Sequence, residues 1–329
     1  MRIHFLPVLL LWAFPAMAEC THRGPNVVLV TLDGVRTREF FEGTDPYHDA
    51  KLAASERGVI FKKLWEKHAA KGLVFGKNGG YRIASDVAVS LPSYQALMTG
   101  HSTHCQNNQC GRVKEETVLE VVRRELGLKK SEVAVFGSWK GMKDSTAESS
   151  RSIFRSIFPD FKSYAGDRSL RRLRNASAFD RPGWSGSRKD HYTWDMGMHY
   201  LKSYCPRVLY VSLVDSDEYG HEGDYPGYVR ALRTYDDYLE TLMSTLDGMG
   251  AYGKDTTLIV TTDHSRGEGE GWTSHGSKPD TEKEVFLFVK GPVFASKGIT
   301  DSSATHANVR PTIEKIMGLR TSGQSLPQE

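Results

Sequence analysis

Three apolar runs that each end in an acid constrain this chain most. Residues 26–32 run straight into Asp33-Gly34, residues 208–214 into Asp215-Ser216-Asp217, and residues 257–262 into Asp263-His264. Unbroken β-branched runs without polar alternation read as strands buried on both faces, as in parallel sheets. Runs at 132–137 and 284–289 have the same character, and 59–61 reads as a short strand. Helical patterns separate them at 36–42, 50–56, 115–126, 191–204, 227–246 and 310–317. This alternation predicts an α/β/α sandwich with a mostly parallel central sheet. Ligands of open α/β sheets gather outside the carboxyl ends of the strands, where these acids stand. A lone aspartate there is ordinarily a turn residue or a helix cap. Three strand ends with the same signature ask for more.

A second feature is the stretch Ser90-Leu91-Pro92-Ser93-Tyr94-Gln95-Ala96-Leu97-Met98-Thr99-Gly100. Pro92 suits a first helical turn and Gly100 a left-handed C-terminal residue. Ser90 then reads as an N-cap, with its hydroxyl at the positive end of a helix dipole. That position suits an alkoxide nucleophile and the phosphate it would carry. The bland alternative is an ordinary capping serine.

Imidazoles join the acids. Asp217 and His221 are four residues apart, so a helical turn puts both on one face. Asp263-His264 is a second pair, and His275 lies in a Gly- and Ser-containing loop before a strand. Three histidines and three aspartates at strand ends suit a hard-to-borderline divalent metal, most simply zinc. Two such ions suit phosphoryl transfer, one activating the nucleophile and one supporting the leaving oxygen.

The 329 residues carry a formal net charge of +3, too small to imply nucleic acid as the main partner. Residues 1–18 read as a secretory signal peptide: Arg2, an apolar stretch over 6–14, and Ala16-Met17-Ala18 before Glu19. No later segment is apolar enough to cross a membrane, so the reading is an exported protein with one catalytic domain over 19–329. Its four cysteines favour disulfides in that compartment, Cys105 with Cys110 and Cys20 with Cys205. Residues 66–89 read as loop. Residues 141–190 read as a basic insertion over one face, with ten Lys/Arg against three Asp between Arg151 and Lys189. Such a segment is a solvated excursion or a cap facing the substrate.

With these motifs in this order, the chain resembles the alkaline phosphatase superfamily, most closely its nucleotide pyrophosphatase/phosphodiesterase branch. The resemblance rests on Leu32-Asp33-Gly34, Ser90-Leu91-Pro92 with Thr99-Gly100, Asp217 with His221, Thr262-Asp263-His264, Ser274-His275-Gly276 and Val289-Lys290-Gly291-Pro292. It implies one zinc held by Asp33, Ser90, Asp263 and His264, and another by Asp217, His221 and His275. It also implies an asparagine that holds a phosphate oxygen; Asn107 and Asn108 lie in that place, and Asn108 is preferred. The phosphodiesterase branch usually carries threonine where Ser90 stands, whereas alkaline phosphatases themselves use serine. The function implied is a two-zinc phosphohydrolase that cleaves small phosphate mono- or diesters through a phosphoserine intermediate.

Two other classes compete. Ser90-Leu91-Pro92-Ser93 is similar to the start of the motif that sulfatases convert to formylglycine, but Tyr94 stands where that motif has arginine. Sulfatases of this fold hold one calcium through oxygen ligands, whereas this chain offers imidazoles; a phosphonate hydrolase shares the fold. A non-catalytic binding protein would be expected to lack ligands, and none is missing from the sequence.

Overall fold

The computed structural model describes residues 20, 24–159, 166–276 and 280–329. The leader at 1–18 lies outside the described residues. The strands are β1 Asn26–Leu32, β2 Leu73–Phe75, β3 Tyr81–Arg82, β4 Val133–Gly137, β5 Phe154–Ile157, β6 Val208–Leu213, β7 Thr256–Thr261, β8 Leu287–Lys290, β9 Gly298–Ile299 and β10 Ala304–Thr305. The α-helices are α1 Thr37–Phe41, α2 Ser90–Thr99, α3 Val118–Glu125, α4 Met142–Ser145, α5 Arg168–Phe179, α6 Asp190–Tyr204, α7 Asp215–Glu222, α8 Tyr225–Gly248, α9 Gly250–Lys254 and α10 Val309–Ile316.

Eight strands form one sheet in the order β5-β4-β6-β1-β7-β8-β2-β9. β5, β4, β6, β1 and β7 pair in parallel, and β8 runs against its neighbours. β1 sits between β6 and β7. Its alternate residues feed two cores: Val28, Val30 and Leu32 on one face, Val27 and Leu29 on the other. The first core is closed by α8 through Leu232, Tyr235, Leu239 and Leu242. The second is closed by α2 through Tyr94, Leu97 and Met98. Each fully buried aliphatic side chain contributes about 1.5–3 kcal/mol. The layers are those of an α/β/α sandwich, as the strand-helix alternation leads one to expect.

The local signals explain the helix ends. Asp224 accepts the Gly227 N–H at 2.9 Å, with Pro226 in the first turn of α8. Thr117 and Glu120 form a capping box at α3, which begins two to three residues later than its acidic lead suggests. Gly100 ends α2 at φ +81°.

Several sequence expectations differ from the structure. Residues 59–61 form no strand; Ile60 and Phe61 are buried, but the chain bends there into a wide turn at Leu64–His68. Residues 50–56 are two short 3-10 turns, Pro46–Lys51 and Ala54–Glu56, rather than a helix. The loop expected over 66–89 contains β2 and β3, whose lengths of three and two residues are too short to show a period. The basic segment 141–190 is not only an excursion. It supplies β5, paired to β4 at the sheet edge, and α5, whose Leu170 enters the core. Ser90 is the first residue of α2, and Val89 occupies the cap. No described helix is long and apolar enough to cross a membrane.

Cys20 is bonded to Cys205, and Cys105 to Cys110, at Cα separations of 5.8 and 5.6 Å. The first ties the chain ahead of β1 to the end of α6. Peptide mapping without reduction is expected to recover both pairs. Replacing Cys20 and Cys205 together by serine is expected to lower stability by about 2–4 kcal/mol; free thiols at either pair would contradict the assignment.

Candidate metal centre

The centre forms where three adjacent parallel strands end. β1 delivers Asp33, β6 delivers Asp217 in the first turn of α7, and β7 delivers Asp263 and His264. The turn after β1 is pinned to both neighbours. The Gly34 N–H donates to Asp263 Oδ1 at 3.1 Å, the Val35 N–H to Thr262 Oγ1 at 3.0 Å, and Ser216 Oγ to the Asp33 carbonyl at 2.5 Å. Gly34 has φ +65°, and a Cβ there would lie 2.4 Å from Asp217 Oδ1. Only glycine lets the turn after Asp33 pass this close to the Asp217 carboxylate.

The start of α7 is held from behind by Asp190. Its buried carboxylate accepts the Val214 and Asp215 N–H groups at 2.8 and 2.7 Å, and the Ser138 and Tyr235 hydroxyls at 2.5 Å each. Asp217 is thereby fixed by backbone that cannot shift without breaking several charge-assisted bonds.

Two donor clusters result: Asp33, Asp263 and His264, all buried, and Asp217, His221 and His275. Within each, the donor atoms lie within 4.8 Å of one another. His264 Nε2 is 3.5 Å from Asp33 Oδ1, 3.4 Å from Asp263 Oδ2 and 3.2 Å from Ser90 Oγ. His221 Nε2 is 3.1 Å from Asp217 Oδ2 and 3.1 Å from His275 Nε2. The His264 and His275 rings stack at 3.8 Å, so the clusters share a wall. The structure thus brings together Asp33, Ser90, Asp217, His221, Asp263, His264 and His275. Asn108 joins them at the rim, where its Oδ1 accepts the Leu91 N–H at 2.9 Å. Asn107 instead makes a local turn, its Oδ1 accepting the Gln109 N–H at 2.8 Å.

The chemistry of these donors fits divalent cations. Asp33 Oδ1 and Asp263 Oδ2 are buried and meet no hydrogen-bond donor. Burial pushes the Asp33 carboxyl well above the usual range, and Asp263 and Asp217 push it further. Burial, then Asp217, raises Asp263 in the same way. A cation among them reverses both effects. The imidazoles are set for ligation. His264 Nδ1 faces the Ser265 carbonyl at 2.9 Å and His275 Nδ1 the Ala88 carbonyl at 2.8 Å. A carbonyl only accepts, so each Nδ1 carries the proton and each Nε2 presents its lone pair to the centre. Burial holds both histidines below their ordinary values.

Two contributors were not legible in the sequence. Tyr94 donates its hydroxyl to Asp33 Oδ2 at 2.9 Å; it lies one helical turn beyond Ser90, and that spacing is the signal that could have found it. Arg266 is buried against Asp217. Burial opposes the Asp217 charge, but Arg266 and His275 outweigh it and hold this carboxyl well below its ordinary value.

Residues 193–321 match the family model described as the Metalloenzyme superfamily, a span that contains Asp217, His221, Asp263, His264 and His275. A phosphopentomutase from Acetivibrio thermocellus is 28% identical over 126 residues, covering 38% of this chain and 30% of that protein. Among solved structures, the phosphonate monoester hydrolase SpPMH from Silicibacter pomeroyi superposes with TM-score 0.57 at 13% identity, covering 92% of this chain and 76% of the other. A 2-O GAG sulfatase superposes with TM-score 0.60 at 14% identity, covering 92% and 73%. The fold shared with these structures is the alkaline phosphatase-like α/β fold.

Tyr94 positions the Asp33 carboxylate through its hydroxyl. Tyr94→Phe is expected to weaken divalent-cation binding at the Asp33 cluster by about 10–100-fold, as loss of a supporting hydrogen bond does elsewhere. A competition titration against a chromophoric chelator measures it; an unchanged affinity would remove Tyr94 from the centre.

Proposed function

We propose that the protein is an exported two-zinc phosphohydrolase that cleaves phosphate mono- or diesters through a phosphoserine at Ser90. Its nearest branch, on the motif order, is the nucleotide pyrophosphatase/phosphodiesterase branch. The observation that carries the reading is Ser90 Oγ at the start of α2, 3.2 Å from His264 Nε2 and beside two three-donor clusters. Asp33, Asp263 and His264, with Ser90, would hold one ion; Asp217, His221 and His275 would hold the other. Zinc is favoured over calcium because three of the six donors are imidazoles. Export is supported by the leader at 1–18 and by the two disulfides. The catalytic domain is taken as residues 19–329.

The cations, when bound, supply Lewis-acid charge that lowers the serine pKa and steadies the departing oxygen. The chain does the rest. The N-terminal end of α2 places its positive dipole at the Ser90 oxygen and at the incoming phosphate. Ser90 gives its hydroxyl proton to solvent and its Oγ bonds to phosphorus in line as the phosphorus–oxygen bond to the leaving group breaks, the leaving oxygen taking up a proton from solvent. Water then attacks phosphorus, the bond to Ser90 Oγ breaks, and one proton of that water passes to Ser90 Oγ while its hydroxyl stays on the phosphate. Asn108, with its oxygen on the Leu91 N–H, turns its amide Nδ2 toward a non-bridging phosphate oxygen. The Cys105–Cys110 bond closes the short loop that carries it.

Ser90→Ala is expected to keep the fold and the metal while turnover falls by at least about 10²–10³-fold. Mass spectrometry of acid-quenched wild type is expected to find phosphate on the Ser90 peptide. Phosphate on another residue, or normal turnover in the variant, would sink the assignment. A screen of phosphate monoesters, phosphate diesters, phosphonates and sulfate esters on the zinc-loaded protein tests the substrate class; turnover of sulfate esters alone would overturn it. His275→Ala is expected to lower zinc occupancy toward one ion per chain and to slow hydrolysis sharply with the fold intact. Full occupancy at an unchanged rate would remove His275 from the centre.

A further inference from the structure

Arg266 is a cation sealed inside the centre, and the chemistry above makes no use of it. One guanidinium nitrogen ion-pairs with Asp217 Oδ1. Nε donates to the Trp272 carbonyl and Nη2 to the Thr273 carbonyl, each at 2.7 Å. Nη2 also lies 3.4 Å from His221 Nδ1. Gly220 makes room for this: a Cβ there would come within 2.6 Å of the guanidinium. One side chain therefore joins α7, which carries Asp217 and His221, to the turn that leads into His275.

Its charge separates the two clusters. Asp33 and Asp263 pair with no lysine or arginine among the described residues, so the Asp33 cluster presents two uncompensated carboxylates. The Asp217 cluster presents one carboxylate already matched by a guanidinium, plus two imidazoles. A fixed positive charge a few ångströms from a second cation opposes its binding, and burial leaves little water to screen it. Arg266 also occupies Asp217 Oδ1, leaving Oδ2 as the free oxygen of that carboxylate toward His221.

We infer that Arg266 makes the two cation sites unequal, so that the Asp33 site retains its ion while the Asp217 site exchanges its own. This rests on the two-cation reading above. Arg266 acts here as a positioning residue and as a fixed charge, without touching the substrate.

The test is a zinc titration of the metal-free full-length protein against a competing chelator, read as binding and not as activity. The expected result is two ions per chain in two classes, with affinities at least about 100-fold apart. Dialysis at intermediate chelator strength should leave one ion per chain. Arg266→Gln removes the charge and is expected to narrow the gap by about tenfold or more, while Arg266→Lys, which keeps it, should leave the gap near wild type. Two equal sites in the wild type would overturn the inference and leave the two-cation reading standing. A gap unchanged or widened in a folded Arg266→Gln variant would also overturn it. Fewer than two ions at saturation would overturn the two-cation reading itself. If Arg266→Gln does not fold, the wild-type gap and its retention in Arg266→Lys decide.

Discussion

Three carboxylates lie buried together at the ends of β6, β1 and β7, and the rest of the site answers to that constraint. Taking charge out of water is expensive unless a partner compensates it. Asp217 has one in Arg266. Asp33 has the Tyr94 hydroxyl on one oxygen, and Asp263 has the Gly34 N–H on one of its own. Their other oxygens meet no donor and face His264. Buried polar groups ordinarily find a hydrogen-bond partner, and two adjacent orphaned carboxylate oxygens facing one imidazole fit a cation that the polypeptide does not supply.

The fold's contribution is rigidity. Five parallel strands fix the spacing of the three ends, and α2 is buried along its whole length against the same sheet. Ser90, the proposed nucleophile, therefore sits on an element packed along its whole length, the fixed placement a nucleophile needs. Asp190 does for α7 what the sheet does for Asp33 and Asp263. It ties the strand end, the helix start, Ser138 and Tyr235 through one carboxylate. His275 has lighter support, one bond to the Ala88 carbonyl and a turn tethered by Arg266. Sites on such segments open more readily than those on strand ends.

Much of this was legible in the residues. β1, β4, β6 and β7 announce themselves as unbroken apolar runs, because strands covered on both faces need no polar alternation. Of the candidate ligands, Asp33, Asp217, Asp263 and His264 stand out because they follow such runs, and His221 because it lies one helical turn beyond Asp217; His275, in a loop before a strand, and Ser90, at a helix start, stand out by motif alone. What escaped has a common cause. β2, β3 and β5 are four residues or shorter, so they carry no readable period, and their place is set by pairing with distant strands. Strand 59–61 failed for the converse reason: Ile60 and Phe61 are apolar for packing, not for pairing. Arg266 and Tyr94 gain their meaning only from contacts 49 and 61 residues away along the chain. A lone arginine or tyrosine advertises nothing until the fold brings its partner.

We propose that this convergence holds two cations. Anomalous diffraction at the zinc edge, from crystals of the protein purified without chelator and supplied with zinc, tests it most directly. Two peaks are predicted, one among Asp33, Ser90, Asp263 and His264 and one among Asp217, His221 and His275. A single peak shared by both clusters, or peaks only outside them, would contradict the account.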